Sequence, residues 1–223
     1  LAASSGAGPS KREKAEKMGR SAITELFAFV DASVDLAQGL RQPPEWFDLL
    51  DAVQDGATQG KNGSEGVHVV CDAVPTDLAL FGPRAQVVLL IANLIRNAVQ
   101  AATRADVEIA IGCERAPTNL QPGDVTDADD DCDLTEVWLL NVDDNGPGVP
   151  VERRARVFSE GQSYRPGGRG QGLAFVRQVV ERDLLGSVSC VASPLGGARF
   201  EVRLPASSVR RGSIGADHTE PST

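Results

Sequence analysis

The sequence predicts an α+β fold, a two-layer sandwich with helices on one face of a sheet, preceded by one long helix. Helical segments alternate with strand-like segments, and only a short turn separates the last two strands. This order favours a helix-covered sheet over an all-helical or all-strand domain. With 223 residues, of which 41% are hydrophobic, the chain can bury one substantial core and carry extensions.

The first unit, residues 1–42, combines a small, polar start that we expect to be disordered with a long amphipathic helix over residues 11–40. Apolar positions recur along this helix at spacings of three and four, the period of one helical face. A helix with a single apolar stripe needs a packing partner, either its own domain or another helix. The stripe consists of Ala15, Met18, Ala22, Leu26, Phe29, Ser33, Leu36 and Leu40.

A globular domain is predicted over residues 43–205, beginning where Pro43 and Pro44 interrupt the helical pattern. The acidic, polar stretch between Cys113 and Leu134 is expected to be a surface insertion, and residues 206–223 a disordered tail. Helices are expected at residues 45–59, 83–102 and 172–184, and strands at 67–71, 107–112, 136–142, 187–192 and 198–204.

Charge and hydropathy exclude several classes of partner. The formal net charge of -9 and the sequence pI near 4.8 argue against nucleic acid or an anionic membrane surface. The longest apolar stretch, at residues 87–91, is far shorter than the roughly 18 residues of a membrane span. We therefore expect a cytoplasmic location. The chain could equally be the cytoplasmic part of a membrane-anchored protein. The four scattered cysteines favour buried, reduced thiols over a metal or redox site.

The first chemical signal is a pair of asparagines, Asn93 and Asn97, one turn apart on the predicted helix 83–102. Both amides project to the same side, away from the apolar face of the helix. Asparagine is a mediocre helix former, so two of them in mid-helix suggest a task such as holding Mg²⁺ beside nucleotide phosphates. Surface or packing residues are the alternative interpretation.

The second signal is the sequence DDNGPGV, in which Asp144 follows an apolar strand and Gly146 and Gly148 flank a proline. A turn that merely ends a strand would have the same composition. The functional interpretation is that Asp144 accepts a hydrogen bond from the amino group of adenine, while the glycines let the backbone approach the ligand.

The third signal is GGRGQGLAFV, where Gly168, Gly170 and Gly172 lead into an apolar helix. Glycine-rich loops that open helices offer backbone N–H groups to anionic oxygens. This loop is not a dinucleotide fingerprint, because Phe175 stands where the third glycine would be required. The lysine of a Walker-type phosphate loop is also missing from the chain.

Together the three signals resemble, in order and spacing, the N, G1 and G2 boxes of the histidine kinase branch of the GHKL ATPase superfamily. The resemblance covers residues 47–205, and VFSEGQSY around Phe158 is similar to the family's F box. It implies a Bergerat-type ATP-binding fold with residues 150–169 as a mobile lid. It also implies ATP and Mg²⁺ as cofactors and assigns roles to individual residues. Asn93 and Asn97 would act in catalysis and hold Mg²⁺ and the phosphates, Asp144 would read adenine, and Gly146, Gly148, Gly168, Gly170, Gly172 and Leu173 would shape the pocket. Apart from the resemblance, the lid segment is rich in arginine, and Arg165 or Arg169, which flank the glycine loop, would neutralise phosphate oxygens. Solvated surface arginines are the alternative interpretation.

The same resemblance implies a protein histidine kinase, the catalytic domain of a two-component sensor. Superfamily members that hydrolyse ATP usually carry a glutamate in place of Asn93 to activate water, and this chain lacks that base. The helix at 11–40 resembles the second helix of a phosphoacceptor hairpin but contains no histidine. The acceptor histidine is thus expected outside this sequence, upstream or on another chain. Further implied partners are a response regulator and a second copy, through a homodimer formed by the N-terminal helix.

Two other functions remain as alternatives. One is a degenerate, non-catalytic GHKL-fold scaffold, or a docking protein for histidine phosphotransfer. The other is a GHKL ATPase or protein kinase that does not act on histidine, which would show steady ATP hydrolysis or serine phosphorylation. Gln171 also departs from the family pattern, which commonly has an apolar residue between those glycines.

Overall fold

The fold is a five-stranded sheet packed against a layer of helices, with a smaller three-stranded sheet beside it. The computed structural model describes residues 43–61, 63–117, 136–159 and 171–212. The predicted N-terminal helix, residues 118–135, which include most of the predicted acidic insertion, residues 160–169 of the predicted lid together with Gly170, and the last eleven residues, 213–223, lie outside this description. Residues 114–117, which were predicted to begin the insertion, instead continue the strand that starts at Val107. The predicted α+β sandwich is confirmed for the domain.

The described elements follow one another in this order. They are β1 Glu45–Asp48, α1 Leu49–Lys61, β2 Val67–Ala73, β3 Leu78–Gly82, α2 Arg84–Ala101, β4 Val107–Pro117, β5 Glu136–Asp144, α3 Val151–Arg154, α4 Gly172–Gln178, β6 Ser187–Ala192, β7 Ala198–Pro205 and β8 Val209–Arg211. A π-helical turn at Val179–Asp183 extends α4, and a 3-10 turn at Ala206–Ser208 precedes β8.

The large sheet has the strand order β2-β4-β5-β7-β6. Only β2 and β4 run parallel, and the other neighbouring pairs are antiparallel. Along β7 every second side chain is buried in the core shared with the helices, whereas Arg199, Glu201 and Arg203 are half-buried. We call the side with these three residues the second face of the sheet. The period-two alternation is that of a strand with one face in the core.

Two glycines let α1 and α2 pack closely. A Cβ atom on Gly56 would lie 2.6 Å from the Ile91 Cβ and 2.7 Å from the Val88 carbonyl oxygen. A Cβ atom on Gly60 would lie 2.7 Å from the Ile95 Cβ. Backbone and β-carbon atoms cannot move aside as a flexible side-chain end would, so this helix pair requires glycine at both positions.

The small sheet, of order β1-β3-β8, corrects two predictions. The helix expected at 45–59 begins only at Leu49, because residues 45–48 pair with β3 as strand β1. The tail expected to be disordered from residue 206 is ordered as far as residue 211, where β8 pairs with β3. Burial of Val209 and stacking of the Arg210 guanidinium 4.1 Å from the Trp46 ring centroid account for this strand.

Other elements agree with the prediction or extend it. Strand β3 and helix α3 were not predicted, and the segment predicted as one helix at 172–184 divides into α4 and the π-helical turn.

Cys113 and Cys190 are buried, as expected, and burial raises the pKa of these thiols to about 12 and about 11. Among the described residues, no helix is long and apolar enough to span a membrane.

Candidate functional site

The two predicted asparagines lie side by side on α2. The helix forms because an apolar stripe, including Ile91, Leu94 and Ile95, is fully buried, which leaves Asn93 and Asn97 at the half-buried edge. The Asn93 Nδ2 donates to the Leu89 carbonyl oxygen at 2.9 Å. This bond fixes the amide, so that its oxygen faces away from the helix axis.

The glycine at the start of α4 meets both asparagines. A Cβ atom on Gly172 would lie 3.2 Å from the Asn93 Oδ1 and 3.8 Å from the Asn97 Nδ2. The Asn93 Oδ1 also accepts a hydrogen bond of 3.3 Å from the Arg96 guanidinium. Leu173, the next residue, is half-buried against the core. Two signals that are far apart in the sequence therefore form one polar cluster between α2 and α4.

Asp144 ends β5 with a buried carboxylate that the backbone holds firmly. Its Oδ1 accepts from the Gly146 N–H at 2.8 Å and from the Ala198 N–H at 3.1 Å. Burial raises the pKa of this carboxyl above its ordinary value; the two N–H groups oppose that rise, and neighbouring Asp143 adds to it. Among the described residues, no donor is found for the second oxygen, Oδ2. The carboxylate therefore has an acceptor available for a ligand.

The glycines after Asp144 have geometric reasons to be glycine. Gly148 has a φ of +71°, and a Cβ atom there would lie 3.1 Å from the Gly197 carbonyl oxygen. A Cβ atom on Gly146 would approach the Asp144 Oδ1 to 3.0 Å. Gly146 thus lies directly beside the Asp144 carboxylate, and Gly148 lies against Gly197.

Sequence reasoning missed the contribution of the β6–β7 turn to this site. The Gly197 N–H donates to the Asp144 carbonyl oxygen at 3.1 Å. A Cβ atom on Gly197 would lie 2.1 Å from the Asp144 Oδ1 and 2.4 Å from its carbonyl oxygen. The pair of glycines before β7 was interpreted only as a hairpin turn. The signal available in the sequence was the second glycine: Gly196 serves the turn, and a further glycine at 197 indicates a close approach of another backbone segment.

Asn145 and Asp143 are two further residues whose roles the sequence did not reveal. The Asn145 Oδ1 accepts from the Glu108 N–H at 3.1 Å, so this residue ties the end of β5 to the start of β4. Asp143 is buried and paired with Arg199 and Ser193 on the second face of the sheet. Neighbouring residues in a strand point to opposite faces, so Asp143 and Asp144 point away from each other.

The beginning of the predicted lid is anchored to the core. Phe158 is buried and packs edge-on against Phe200, with ring centroids 6.0 Å apart and an interplanar angle of 82°. The Arg154 Nε donates to the Val149 carbonyl oxygen at 2.9 Å. The remaining predicted site residues, Arg165, Gly168, Arg169 and Gly170, lie outside the described residues.

Residues 82–208 match the family of histidine kinase-, DNA gyrase B- and HSP90-like ATPases. The sensor protein CitS of Halalkalibacterium halodurans is 30% identical over 195 residues, which cover 82% of this chain and 33% of that protein. The two-component sensor PhoQ of Pseudomonas aeruginosa is 34% identical over 117 residues, which cover 51% of this chain and 21% of that protein. The chain thus spans a third or less of the length of these relatives.

Solved structures share the fold. The ATP-binding domain of PrrB from Mycobacterium tuberculosis has a TM-score of 0.53 and 27% identity, and the match covers 74% of this chain and 98% of that one. The mycobacterial sensor histidine kinase MprB has a TM-score of 0.56 and 20% identity, and the match covers 73% of this chain and 97% of that one. At 20% identity the second likeness concerns the fold alone.

Proposed function

Because the chain belongs to the family of histidine kinase-, DNA gyrase B- and HSP90-like ATPases, we propose that it transfers the γ-phosphoryl group of ATP to a histidine. The domain is of the ATP-binding catalytic kind found in sensor histidine kinases. The observation that carries the proposal is the meeting of Gly172 with Asn93 and Asn97. It joins two of the three predicted boxes in one place.

The adenine end of the site is Asp144. With Oδ1 occupied by two backbone N–H groups, Oδ2 is the oxygen that faces a ligand. An ionised carboxylate only accepts hydrogen bonds, and the 6-amino group of adenine only donates them. Guanine has a carbonyl oxygen at the same ring position, which the carboxylate would repel. The site therefore suits adenine nucleotides.

The phosphate end consists of the asparagines and Gly172. Side-chain amide oxygens are ligands that Mg²⁺ accepts, and Mg²⁺ in such sites is shared with nucleotide phosphates. The hydrogen bond from the Asn93 amide nitrogen to Leu89 leaves the oxygen directed outward, and this oxygen has a second lone pair besides the one that accepts from Arg96 at 3.3 Å. Gly172 leaves the space beside that oxygen open, because a Cβ atom on residue 172 would lie only 3.2 Å from the Asn93 Oδ1. These residues therefore fit Mg²⁺ with ATP, and the metal would supply charge neutralisation on the phosphates.

Phosphoryl transfer is favoured over hydrolysis because this chain has Asn93 at the position where the resemblance implies a water-activating glutamate in ATP-hydrolysing members. An amide cannot accept a proton from water as a carboxylate can. The residues of the site would instead bind, orient and shield the phosphoryl group, and the rate would come from positioning and electrostatics. Phe158, packed on Phe200, would anchor the start of the lid that excludes water.

The acceptor would be a histidine of a helical domain, upstream of this sequence or on another chain. Neither histidine of the chain suits the role, because His68 lies on strand β2 and not on a helix, and His218 lies in the predicted tail. A response regulator would receive the phosphoryl group next, and the N-terminal helix would join two copies. All of these steps would take place in the cytoplasm, and none involves nucleic acid.

The test is transfer from [γ-³²P]ATP with Mg²⁺ to a separately purified histidine-bearing hairpin domain of a two-component sensor. We expect label that is stable in alkali and lost in acid, as phosphohistidine is, and that is absent with Asn97→Ala. The matched control is Gln100→Ala, an exposed amide on the same helix. Steady release of phosphate without labelling would indicate an ATPase instead, and failure to bind ATP would indicate a scaffold.

A further inference from the structure

The buried carboxylate of Asp143 has no part in the proposed nucleotide contacts. The residue is only 5% exposed. Its Oδ1 accepts from the Ser193 hydroxyl at 2.8 Å and from the Arg199 Nε at 2.9 Å, and its Oδ2 accepts from the second guanidinium nitrogen at 2.8 Å. A buried charge is tolerated only when it is paired and hydrogen-bonded in this way. We call Asp143, Ser193 and Arg199 the second-face network.

Ser193 connects this network to the turn between β6 and β7. Its hydroxyl oxygen accepts from the Leu195 N–H at 3.0 Å, in addition to donating to Asp143. Its backbone N–H donates to the Gly197 carbonyl oxygen, and its own carbonyl accepts from the Gly196 N–H, both at 3.0 Å. Residues 193–197 therefore form one hydrogen-bonded unit whose position is set by the Asp143 carboxylate.

The same turn holds Asp144 from the opposite face of the sheet. The Gly197 N–H donates to the Asp144 carbonyl oxygen, and the next residue, Ala198, donates to its Oδ1, each at 3.1 Å. A shift of the turn would therefore change the orientation of the Asp144 carboxylate. Two consecutive aspartates, on opposite faces, are coupled through five residues of turn.

We propose that Asp143, Ser193 and Arg199 are positioning residues that fix Asp144 and so set the preference for adenine over guanine nucleotides. The inference rests on the proposed function, since it assumes that Asp144 reads the base. A carboxylate that donors hold in place presents one oxygen at one position, where an amino group is accepted and a carbonyl is rejected. Rejection by a polar site depends on that rigidity, because a group that can turn away avoids the unfavourable contact.

The network lies at one end of the β5–β7 pairing. The β5–β7 pairing continues over seven residue pairs, and Asp143↔Arg199 is the last of them. Replacing Ser193 by alanine leaves the Asp143–Arg199 ion pair intact and removes the two hydrogen bonds of the hydroxyl, to Asp143 and from the Leu195 N–H. Ser193→Ala is therefore the variant that separates positioning from folding, and Ser193→Thr retains the hydroxyl.

The experiment measures the dissociation constants of ATP and GTP with Mg²⁺ by calorimetry, together with urea unfolding. For Ser193→Ala we expect ATP binding to weaken about fivefold, the effect of one hydrogen bond, and GTP binding to stay constant or strengthen. The ATP preference should return in Ser193→Thr. The control is Glu201→Gln, which lies on the second face but contacts Ser189 and Arg203 and not the turn.

An unchanged ratio of the two constants in folded Ser193→Ala would overturn the proposal, as would an equal change in Glu201→Gln. Failure of nucleotide binding, the part of the proposed function on which this inference rests, gives a different result, because the unaltered chain would then bind neither nucleotide. If the wild type prefers ATP and the variants keep the full preference, the positioning role is wrong while the proposed nucleotide binding stands.

Discussion

Replacing Gly197 by alanine should damage both the fold and the nucleotide site. The new methyl group would lie 2.1 Å from the Asp144 Oδ1, 2.4 Å from the Asp144 carbonyl oxygen and 2.6 Å from the Gly146 nitrogen. Two of these atoms belong to the backbone and cannot move aside without moving the strand. The turn must therefore separate from β5, and the Gly197 and Ala198 hydrogen bonds to Asp144 should be lost.

The magnitude follows from those two bonds. A neutral hydrogen bond contributes about 0.5–1.5 kcal/mol and one to a charged group about 1.5–3 kcal/mol, so their loss should lower the free energy of unfolding by about 2–4.5 kcal/mol. The free energy of unfolding of a domain is commonly about 5–15 kcal/mol, so the variant should still fold at low temperature. Loss of the orientation of Asp144 should also weaken ATP binding about 10- to 100-fold.

Urea unfolding followed by circular dichroism measures the first effect and calorimetry with ATP the second. The matched control is Gly112→Ala in β4, where the new methyl group would meet the Ala73 Cβ at 3.0 Å and no atom of the nucleotide site within 4 Å. We expect the control to retain ATP binding. A Gly197→Ala protein with unchanged unfolding free energy and unchanged affinity would refute the close approach described here.

Three other predictions concern packing, backbone strain and pH. Gly56→Ala should lower the free energy of unfolding by about 1–3 kcal/mol in urea titrations, because its Cβ would lie 2.6 Å from the Ile91 Cβ. Leu185 is 76% exposed at a φ of +53°, so Leu185→Gly should raise that free energy by about 1 kcal/mol, and a loss of stability would contradict this. Because the pKa of Asp144 is raised, ATP affinity should fall on acidification at a higher pH than for an ordinary aspartate, and Asp144→Asn should abolish this dependence in calorimetric titrations.

Strongly periodic elements were predictable from the sequence alone. Helix α2 and the β6–β7 hairpin lie close to the predicted bounds, since a buried apolar stripe and alternating residues mark them. Strand β1 was missed because residues 45–48 also continue the pattern of α1. Strand β8 was missed because three residues in a polar tail carry no detectable period, and only tertiary pairing with β3 makes them a strand.

The sequence named those candidate site residues that stand in short, recognisable motifs. Asn93, Asn97, Asp144 and Gly172 were named from their sequence context, and the resemblance to histidine kinases was confirmed by the family match together with the sensor kinases that the chain resembles. Gly197 was not named, because glycine is required there by the close approach of Asp144, which lies 53 positions earlier in the chain. Such close approaches depend on strand register, which a single sequence does not reveal.

The measurement that tests the central claim most directly is calorimetric titration of the chain with ATP, with and without Mg²⁺, for the wild type and Asp144→Asn. The matched control is Asp72→Asn, the same substitution at an exposed position of β2. We predict Mg²⁺-dependent binding that is retained in the control and weakened about 10- to 100-fold in Asp144→Asn, as expected for loss of a hydrogen bond to a charged group. Equal affinity in folded Asp144→Asn, or no binding by folded wild type, would contradict the account.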